Sequence, residues 1–559
     1  MNLKRHDCAV TPYWRHLWLV VALLIGNHLI TPARNVTQAS PPRGYYRQSH
    51  QKDSAAIRAL SRAEDLELDS QWGEALNCYQ QGQKAWPNRI EFRKGRQRCE
   101  THLDRVRRYQ NHSFRESVRS LTSQRAFALC KEVLQTIQSY YVDRVNMKSM
   151  IDQASDHFSL ALNDPGFIRA NASNATPVQI HHLRSQLSNL KRHPIVTVHD
   201  AQTVVRHVSQ NAYDTIRMKT APVVMEYIIS ICSSLDIHSG YLTSEALNDL
   251  YAQIDGNFVG IGVEVKADDI GLRVLSVLPG SPAFEQGVRG GDHITYVDHT
   301  ALAGMSTGEA SSRLKGSQGT RVEIRILSAM QQYERTVILR RKNILIKSIS
   351  EARVLDRGHG IAYIKLVGFQ KSTVSELETT LWRLHRQGMQ SLILDLRGNP
   401  GGLLTSAVDV SDRFINRGQI VSTRGRAPGQ SLSYSAGRPT RTWHMPMVLM
   451  IDNDSASASE IVAACLSDHN RATLVGQTSY GKGEVQSIYP LATIGAGLRL
   501  TTARFFSPNG RALSKRGVTP HVTVSQRNAS SRARFHHKEP ADIQLQEALS
   551  IARDQLVRR

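Results

Sequence analysis

One junction between a short apolar segment and a run of serines constrains this chain most. The segment Met447–Ile451 predicts a buried strand, and residues 461–466 predict the opening of a helix. Serines 455, 457 and 459 stand between them, and backbone N–H groups at such a helix start point at whatever a serine oxygen attacks. Lys482 follows Ser457 by 25 residues, in a Gly-Lys-Gly turn that allows close backbone approach. Serine with a neutral lysine is a sufficient hydrolytic pair.

Two other interpretations of these residues stay open. Ser457-x-x-Glu460 also fits a capping box, in which the serine only satisfies amides at the helix start. The segment from Gly476 to Lys482 nearly spells a phosphate-binding loop, and residues 392–395 resemble a magnesium-binding strand. However, Gly483 follows the lysine where that loop needs a hydroxyl, and the aspartate strand precedes the glycine loop. Nucleotide binding is therefore disfavoured.

Length and charge set the broad class of protein. A chain of 559 residues predicts three or four domains, since domains run to about 150 residues. Lys and Arg number 70 against 48 Asp and Glu, a balance that attracts nucleic acid or anionic envelope surfaces. No nucleic-acid-binding motif accompanies the charge, so we expect no specific nucleic-acid partner.

The cysteines argue against a metal site. Six cysteines are scattered without any C-x-x-C, so we expect no metal and no cofactor. Cys78 and Cys99 either form a bridge within a helical region or remain buried free thiols, and the second is favoured.

The N-terminus has the pattern of a targeting segment. Lys4, Arg5 and Arg15 precede a short apolar run at residues 17–25. We expect residues 1–30 to be a signal peptide or a membrane anchor, and the polar residues 31–54 to be a linker. The protein is therefore predicted to be exported across a membrane, and this segment is the candidate for membrane association.

Helices are predicted for most of the first half. Residues 55–112 are predicted to be tetratricopeptide-like and a surface for an adaptor: residues 55–88 match one helical hairpin, and a second unit from Arg89 is barely discernible. A plain helical hairpin explains the pattern equally well. Residues 113–250 continue as a helical region. An insertion at 164–221 contains amphipathic pieces and no identifiable chemistry.

Near residue 258 the hydrophobic pattern changes from helical periodicity to the alternation that is typical of β-strands. Two glycines interrupt a strand at 258–265, and the order of strands and helices over residues 251–342 resembles a PDZ domain of bacterial proteases. The loop can aim successive amides at the terminal carboxylate of a peptide that extends a sheet edge. The residues assigned to tail binding are Gly260, Ile261, Gly262 and Val263. The alternative is a structural glycine bulge.

An α/β region is predicted for residues 343–526. It contains a helix at Thr373–Arg386, a buried strand at 392–396 and a glycine turn at 397–402. Such a turn suits close approach to a reacting oxygen, although an ordinary strand–helix turn is the favoured alternative for these residues alone. Residues 424–441 are predicted to form an exposed excursion. The tail 527–559 is basic and carries a short helix near Ile543–Val557.

Six ordered blocks together resemble the carboxy-terminal processing, or tail-specific, serine proteases. The blocks are residues 235–242, 258–265, the PDZ-like segment, 394–402, 455–460 with 481–486, and 501–510. The resemblance implies a multidomain α+β protein: a helical N-terminal region, a PDZ-like β-rich domain and an α/β peptidase core of the tail-specific, crotonase-like type.

The same resemblance implies the site and its substrates. Ser457 matches the nucleophile, Lys482 the general base and Gln486 the residue that supports the lysine. The amide of Ala458 and that of Gly401 or Gly402 match the oxyanion donors. Asp468 matches a supporting aspartate of some members. The implied substrates are proteins with exposed C-terminal tails.

Departures and competing hypotheses limit this assignment. His521 stands where the family usually carries aspartate, and we expect it to affect packing or regulation. A serine–histidine–aspartate triad using Asp468 and His469 is disfavoured, because neighbouring residues do not usually converge on one serine. A non-catalytic scaffold that binds peptide tails in the envelope is the alternative from another functional class.

Overall fold

The computed structural model describes residues 44–190, 194–305, 307–329, 333–437, 442–525 and 542–558. The predicted targeting segment, residues 31–43 of the predicted linker, residue 526 and residues 527–541 of the basic tail lie outside the described residues. Helix α1 begins at Gly44, so residues 44–54 are helical, contrary to the prediction of a linker. None of the helices in these ranges combines the length and apolar character needed to cross a membrane.

The N-terminal part is helical, as predicted. Its helices are α1 (Gly44–Leu68), α2 (Trp72–Ala85), α3 (Ile90–Gln110), α4 (His112–Ser120), α5 (Ser123–Tyr140), α6 (Met147–Ala161), α7 (Pro165–Asn171), α8 (Pro177–Leu190), α9 (Val198–Ile216) and α10 (Thr220–Leu235). Helix α10 is apolar on all sides and lies buried among α5, α6 and α9. The 164–221 insertion supplies α7, α8 and α9, which contribute Phe167, Leu183 and Val205 to the same core.

The hairpin α2–α3 packs by fitting aromatic rings against glycines. A Cβ at Gly82 would lie 2.2 Å from the ring of Phe92, and one at Gly95 would lie 2.2 Å from the ring of Tyr79. Cys78 and Cys99 are both free thiols, in agreement with the favoured alternative.

The following part is rich in strands. Its elements are β1 (Gly240–Leu242), α11 (Ser244–Asp255), β2 (Asn257–Gly260), β3 (Val263–Ala267), β4 (Leu272–Val277), α12 (Pro282–Glu285), β5 (His293–Val297), β6 (Thr300–Ala301), α13 (Thr307–Leu314), β7 (Arg321–Leu327), β8 (Glu334–Arg340) and β9 (Lys342–Leu345). The sheet has the order β3-β4-β5-β7-β8, with β6 paired to β5. Strand β3 therefore lies at an edge, and α13 packs beside it.

The last part contains two sheets. Its elements are β10 (Ile349–Asp356), β11 (Ile361–Leu366), α14 (Thr373–Arg386), β12 (Ser391–Asp395), α15 (Leu404–Asp412), β13 (Gln419–Gly425), β14 (Leu432–Ser435), β15 (Met447–Ile451), α16 (Ala458–Asp468), β16 (Thr473–Gly476), β17 (Glu484–Leu491), β18 (Ala496–Phe506), β19 (Val522–Thr523) and α17 (Ile543–Val557). The larger sheet has the order β10-β11-β12-β15-β16-β19 and is parallel from β11 to β19.

Helices cover both faces of the parallel sheet. Successive residues of a strand point to opposite faces, so Leu449 packs with α14, α15 and α16 whereas Val448 and Met450 pack with α17. Strands β12 and β15 are buried along their whole length, which explains their continuous apolar sequences. The mixed helix-and-sheet fold class is confirmed.

The second sheet joins the core to the helical part. Its order is β1-β18-β13-β14, and β17 pairs with β18. The excursion predicted at residues 424–441 contains, in its described residues 424–437, the strand β14 paired with β13. Most of these residues are exposed, as predicted, whereas Ala427 and Gln430 are buried. Gln430 is buried and donates through Nε2 to the carbonyl of Tyr140 in α5 at 2.9 Å. This hydrogen bond anchors the hairpin to the helical region.

Candidate active site

Ser457 lies on a strained turn between β15 and α16. Its backbone has φ +58° and ψ −111°, a region that costs a residue with a side chain about 1–3 kcal/mol. The side chain is fully buried, and its Oγ has no hydrogen-bond partner within the described residues. The Glu460 half of the capping box is present, because that carboxylate accepts from the Ser457 N–H, whereas the Ser457 hydroxyl itself makes no hydrogen bond that caps α16.

Glu460 fixes this turn from within the same helix. Its Oε2 accepts hydrogen bonds from the backbone N–H of Ser457 at 2.8 Å and from that of Lys482 at 2.9 Å. Its Oε1 accepts from the Ser479 hydroxyl at 2.5 Å and from the Gly481 N–H at 2.7 Å. Burial raises the pKa of the Glu460 carboxyl, and the four donors oppose that rise. One carboxylate thus ties the serine turn to the lysine loop.

This arrangement also excludes the phosphate-loop alternative. The N–H groups of Gly481 and Lys482, which a phosphate would need, are donated to Glu460. A buried carboxylate in that position would repel a phosphate.

Lys482 lies in the loop before β17 and is only 2% exposed. Burial, reinforced by the positive charge of Arg499, lowers the pKa of the Lys482 ammonium to about 8. The carboxylates of Glu484, Glu460 and Asp236 act in the opposite direction. A substantial fraction of this lysine is therefore neutral at mildly alkaline pH.

Gln486 lies on β17, in the strand that follows the lysine. Its side chain is buried, and Nε2 makes long contacts of 3.4 Å to the Glu484 carbonyl and 3.5 Å to the Thr501 hydroxyl. Its Oε1 has no partner among the described atoms. A buried amide oxygen in this state is ready to accept a hydrogen bond from a neighbouring donor.

The glycine turn after β12 lies directly against the serine turn. A Cβ at Gly401 would lie 2.7 Å from the Ala456 carbonyl oxygen and 2.9 Å from the Ser457 Cβ. A Cβ at Gly402 would lie 2.1 Å from the Phe369 carbonyl oxygen. Glycine is therefore required at both positions by close approach, and also by their φ values of +104° and +149°.

Asn399 connects these two turns. Its carbonyl oxygen accepts from the Ala456 N–H at 3.0 Å and from the Ser459 hydroxyl at 2.9 Å. Its side-chain Oδ1 accepts from the Gly401 N–H at 2.9 Å, while Nδ2 donates to the Leu366 carbonyl at 2.8 Å. The Gly401 amide is thus already engaged, which favours Gly402 over Gly401 as an oxyanion donor. Sequence reasoning assigned no role to Asn399.

Ala458 is the first residue of α16. Backbone N–H groups in the first turn of a helix have no acceptor within that helix. The Ala458 amide follows directly on Ser457, at the positive end of the helix dipole. A Cβ at Gly401 would lie 2.9 Å from the Ala458 nitrogen, so this amide and the glycine turn lie next to each other beside the serine.

Asp468 and His469 lie at the other end of α16. Eleven residues separate Asp468 from Ser457, about 16 Å at the rise of an α-helix. Asp468 accepts from the Asn509 N–H at 3.0 Å and pairs with Arg511, so it supports the loop after β18. The His469 Nε2 contacts the Gln419 carbonyl at 2.8 Å. Neither side chain reaches Ser457, which excludes the alternative triad.

His521 has a packing role. Its Nδ1 accepts a hydrogen bond from the Leu474 N–H at 2.9 Å, and its Nε2 lies 3.3 Å from the Ser467 hydroxyl. The ring therefore joins the segment before β19 to β16, away from the serine and lysine.

The predicted tail-binding loop lies between β2 and β3. The carbonyls of Ile261 and Gly262 accept hydrogen bonds from the N–H groups of Ala283 and Leu278, each at 3.0 Å. Because N–H and C=O point in opposite directions in a trans peptide unit, the amides of Gly262 and Val263 point away from those donors. Gly260 pairs with Lys342 of β9 instead. Gly262 and Val263 therefore present their amides beside the open edge of β3.

Two family models match the chain. The model described as peptidase family S41 matches residues 360–524, and the model described as PDZ domain matches residues 259–334. The first contains Ser457 and Lys482, and the second contains strand β3.

Curated proteins are similar to this chain over about half of its length. A carboxy-terminal-processing protease of Bartonella bacilliformis is 37% identical over 297 residues, which is 52% of this chain and 67% of that protein. A carboxyl-terminal-processing protease of Synechocystis sp. is 33% identical over 313 residues, covering 56% of this chain and 72% of that protein. Among solved structures, the photosystem II D1 C-terminal processing protease is similar with a TM-score of 0.39 and 26% identity, over 71% of this chain and 93% of that one. This chain is a C-terminal processing serine protease of peptidase family S41 that carries a PDZ domain.

Proposed function

We propose that the protein hydrolyses peptide bonds near the C-termini of protein substrates with a Ser457–Lys482 dyad. The observation that carries this proposal is that Glu460 binds the backbone of both residues, at 2.8 Å and 2.9 Å. A buried hydroxyl without a partner and a buried lysine whose pKa is lowered to about 8 supply the required chemistry.

The reaction begins with neutral Lys482. Its Nζ accepts the proton of the Ser457 hydroxyl while Oγ forms a bond to the carbonyl carbon of the scissile peptide. Collapse of the tetrahedral intermediate breaks the C–N bond, and Lys482 returns the proton to the leaving amine. Water then attacks the acyl ester while Lys482 accepts its proton, and Lys482 donates that proton to Oγ as the ester bond breaks. Gln486 accepts a hydrogen bond from the lysine through Oε1 and holds the amine in line.

The N–H groups of Ala458 and Gly402 stabilise the oxyanion in this proposal. Removal of one such donor typically costs about 3 kcal/mol of barrier, or a hundredfold or more in rate. Gly401 shapes the turn, since its own amide is held by Asn399.

The PDZ domain binds the C-terminal tail of the substrate in this scheme. Support comes from the edge position of β3, which leaves one side of the strand open to a peptide, and from the amides of Gly262 and Val263 at its start. Helix α13 forms the other wall of the groove, and its Thr307 hydroxyl accepts from the Ala267 N–H at 2.9 Å.

We further propose that the protein acts after export, in the periplasm or cell envelope of a bacterium. The support is the basic and then apolar pattern of residues 4–25. Helices α1–α3 are the candidate surface for an adaptor. Fractionation of cells that produce the full chain tests the location, and recovery in the cytoplasm alone would contradict it.

Cleavage of defined peptides tests the central proposal. The purified full chain is incubated with a mixed set of peptides with free apolar C-termini, and mass spectrometry identifies the products. We expect cleavage by the wild type and none by Ser457→Ala or Lys482→Ala. Tight binding of a peptide without cleavage by the wild type would instead favour the scaffold alternative, and cleavage by a clean Ser457→Ala preparation would refute the dyad.

A further inference from the structure

The residue that opens the glycine turn is bound by the C-terminal helix. Arg397 follows β12 and is 12% exposed. Its guanidinium donates through Nε to Asp395 Oδ1 at 3.0 Å and through Nη2 to Asp395 Oδ2 at 2.7 Å. It also donates through Nη1 and Nη2 to the two carboxylate oxygens of Asp542, at 2.9 Å and 2.7 Å, and through Nη1 to Gln544 Oε1 at 3.0 Å.

We propose that α17 is a positioning element of the active site, which holds the oxyanion turn through Asp542, Gln544 and Arg397. The inference rests on the proposed function, because it assigns α17 to the geometry of the turn that stabilises the oxyanion. These three residues are positioning residues and do not touch the substrate.

Two opposite attachments fix the turn. On one side the turn is held by Asn399, which follows Arg397 by two residues and binds the serine turn. On the other side the guanidinium joins Asp395, which is fully buried and also accepts from the Tyr363 hydroxyl at 2.8 Å, to the start of α17. Among the described residues, Asp542 and Gln544 are the partners of Nη1. Without these two partners the largely buried Arg397 guanidinium is bound only by Asp395, at the end of β12, so the turn gains freedom to move.

The helix reaches the site with one end only. Asp542 caps α17 by accepting from the Leu545 N–H at 3.0 Å, and Gln544 Nε2 donates to the Val524 carbonyl at 2.8 Å. At its far end Arg553 binds Asp356 at 2.8 Å, and Gln555 donates to the Thr473 hydroxyl at 2.9 Å. Thr473 is the first residue of β16, whereas the catalytic turns follow the last residues of β12 and β15. The far end of α17 therefore lies at the opposite end of the parallel strands from the catalytic turns.

This geometry supplies a matched pair of variants. Asp542→Ser keeps a residue that caps helices well but is too short to reach the guanidinium. Arg553→Ala also removes one ion pair between α17 and the core, but at the end of the helix that is far from the site. The family match ends at residue 524, so α17 lies outside the segment that the peptidase model describes.

The test compares both variants with the wild type in the full-length protein. We expect Asp542→Ser to lower kcat for a cleaved peptide about tenfold with KM within twofold, because charge-assisted hydrogen bonds that hold the turn are lost. Arg553→Ala should keep both constants within twofold. Hydrogen–deuterium exchange gives a readout that needs no turnover: amides of residues 397–404 should exchange about tenfold faster in Asp542→Ser only.

The outcomes separate this inference from the proposed dyad. Equal exchange of the turn in Asp542→Ser and wild type, or equal losses of kcat in the two variants, would overturn the role of α17. An inactive wild type would refute the dyad proposal and leave the exchange comparison to decide on the helix.

Discussion

The carboxylate of Glu460 accepts the backbone N–H of Ser457 at 2.8 Å, one helical turn along α16. The same oxygen accepts the backbone N–H of Lys482 at 2.9 Å, so two residues that are distant in sequence share one anchor. Since a small displacement of a nucleophile or base costs much of the rate, we infer that the precision of this site depends on Glu460.

Glu460→Gln should disrupt both loops. An amide group replaces one carboxylate oxygen, so two of the four donors face an N–H₂ group. We expect kcat to fall about a hundredfold and the free energy of unfolding to drop by about 2–4 kcal/mol, measured by peptide hydrolysis and urea denaturation. Glu484→Gln is the control, because Glu484 also raises the pKa of Lys482 but does not bind the serine turn. Wild-type kcat in Glu460→Gln would contradict the anchoring role.

Activity should rise with pH as Lys482 loses its proton. The pKa of Lys482 is lowered from 10.5 to about 8, so the neutral base accumulates above pH 8 and disappears below it. We expect the acid limb of kcat/KM to have its midpoint near pH 8. Arg499→Gln should move this limb to higher pH, because the charge of Arg499 favours the neutral amine. If the midpoint of kcat/KM is the same in Arg499→Gln and the wild type, Arg499 does not lower the pKa of Lys482.

The same shift predicts a stability effect of Lys482→Met. Between pH 8 and 10.5 the unfolded state binds the proton that the folded state has released, so stability rises with pH in that window. At pH 7 the buried ammonium destabilises the fold, and we expect Lys482→Met to be more stable by about 1–3 kcal/mol. The difference should shrink as the pH approaches 10.5. A constant difference at every pH would contradict the lowered pKa.

The backbone of Ser457 predicts an inverted ranking of two inactive variants. Alanine normally stabilises relative to glycine, but at φ +58° a Cβ is strained. Ser457→Gly should therefore be more stable than Ser457→Ala by about 1 kcal/mol, measured by urea denaturation. A more stable alanine variant would show that the turn is relaxed.

Alanine substitutions at two glycines of the same turn distinguish the effect of close packing from the effect of backbone strain. Gly398 has φ +70°, and a Cβ added there would have no atom within 4 Å, whereas a Cβ at Gly401 would meet the Ala456 carbonyl at 2.7 Å. Both substitutions by alanine strain the backbone, but only Gly401→Ala pushes on the serine turn. Because displacement of the nucleophile misaligns the site, we expect a loss of kcat of about a hundredfold for Gly401→Ala and of under about tenfold for Gly398→Ala. Equal losses would assign the effect to strain alone.

Many helices and strands could be predicted because local sequence patterns, such as apolar runs and helical periodicity, determine them. The continuous apolar segment Met447–Ile451 and the amphipathic helix Thr373–Arg386 have the predicted bounds. Burial on both faces and 3.6-residue periodicity are visible in sequence. The helix Ile543–Val557 was also predicted, but its place over the parallel sheet was not.

The contacts that organise the site could not be predicted in the same way. Glu460 resembles an ordinary capping residue, and its hydrogen bonds to residues 479–482 depend on how the next loop folds back. Arg397 and Asp542 are separated by 145 residues. Periodicity reports which side of an element is buried and does not report its distant partner.

The most direct test of the dyad is the pH dependence of covalent labelling at Ser457. A fluorophosphonate that reacts with activated serines is added to the wild type and to Lys482→Ala, and the rate of modification of Ser457 is followed by mass spectrometry. The account predicts a wild-type rate that rises through one ionisation near pH 8. It predicts a rate at least about a hundredfold lower and independent of pH without the lysine. Labelling of Lys482→Ala at the wild-type rate would contradict it.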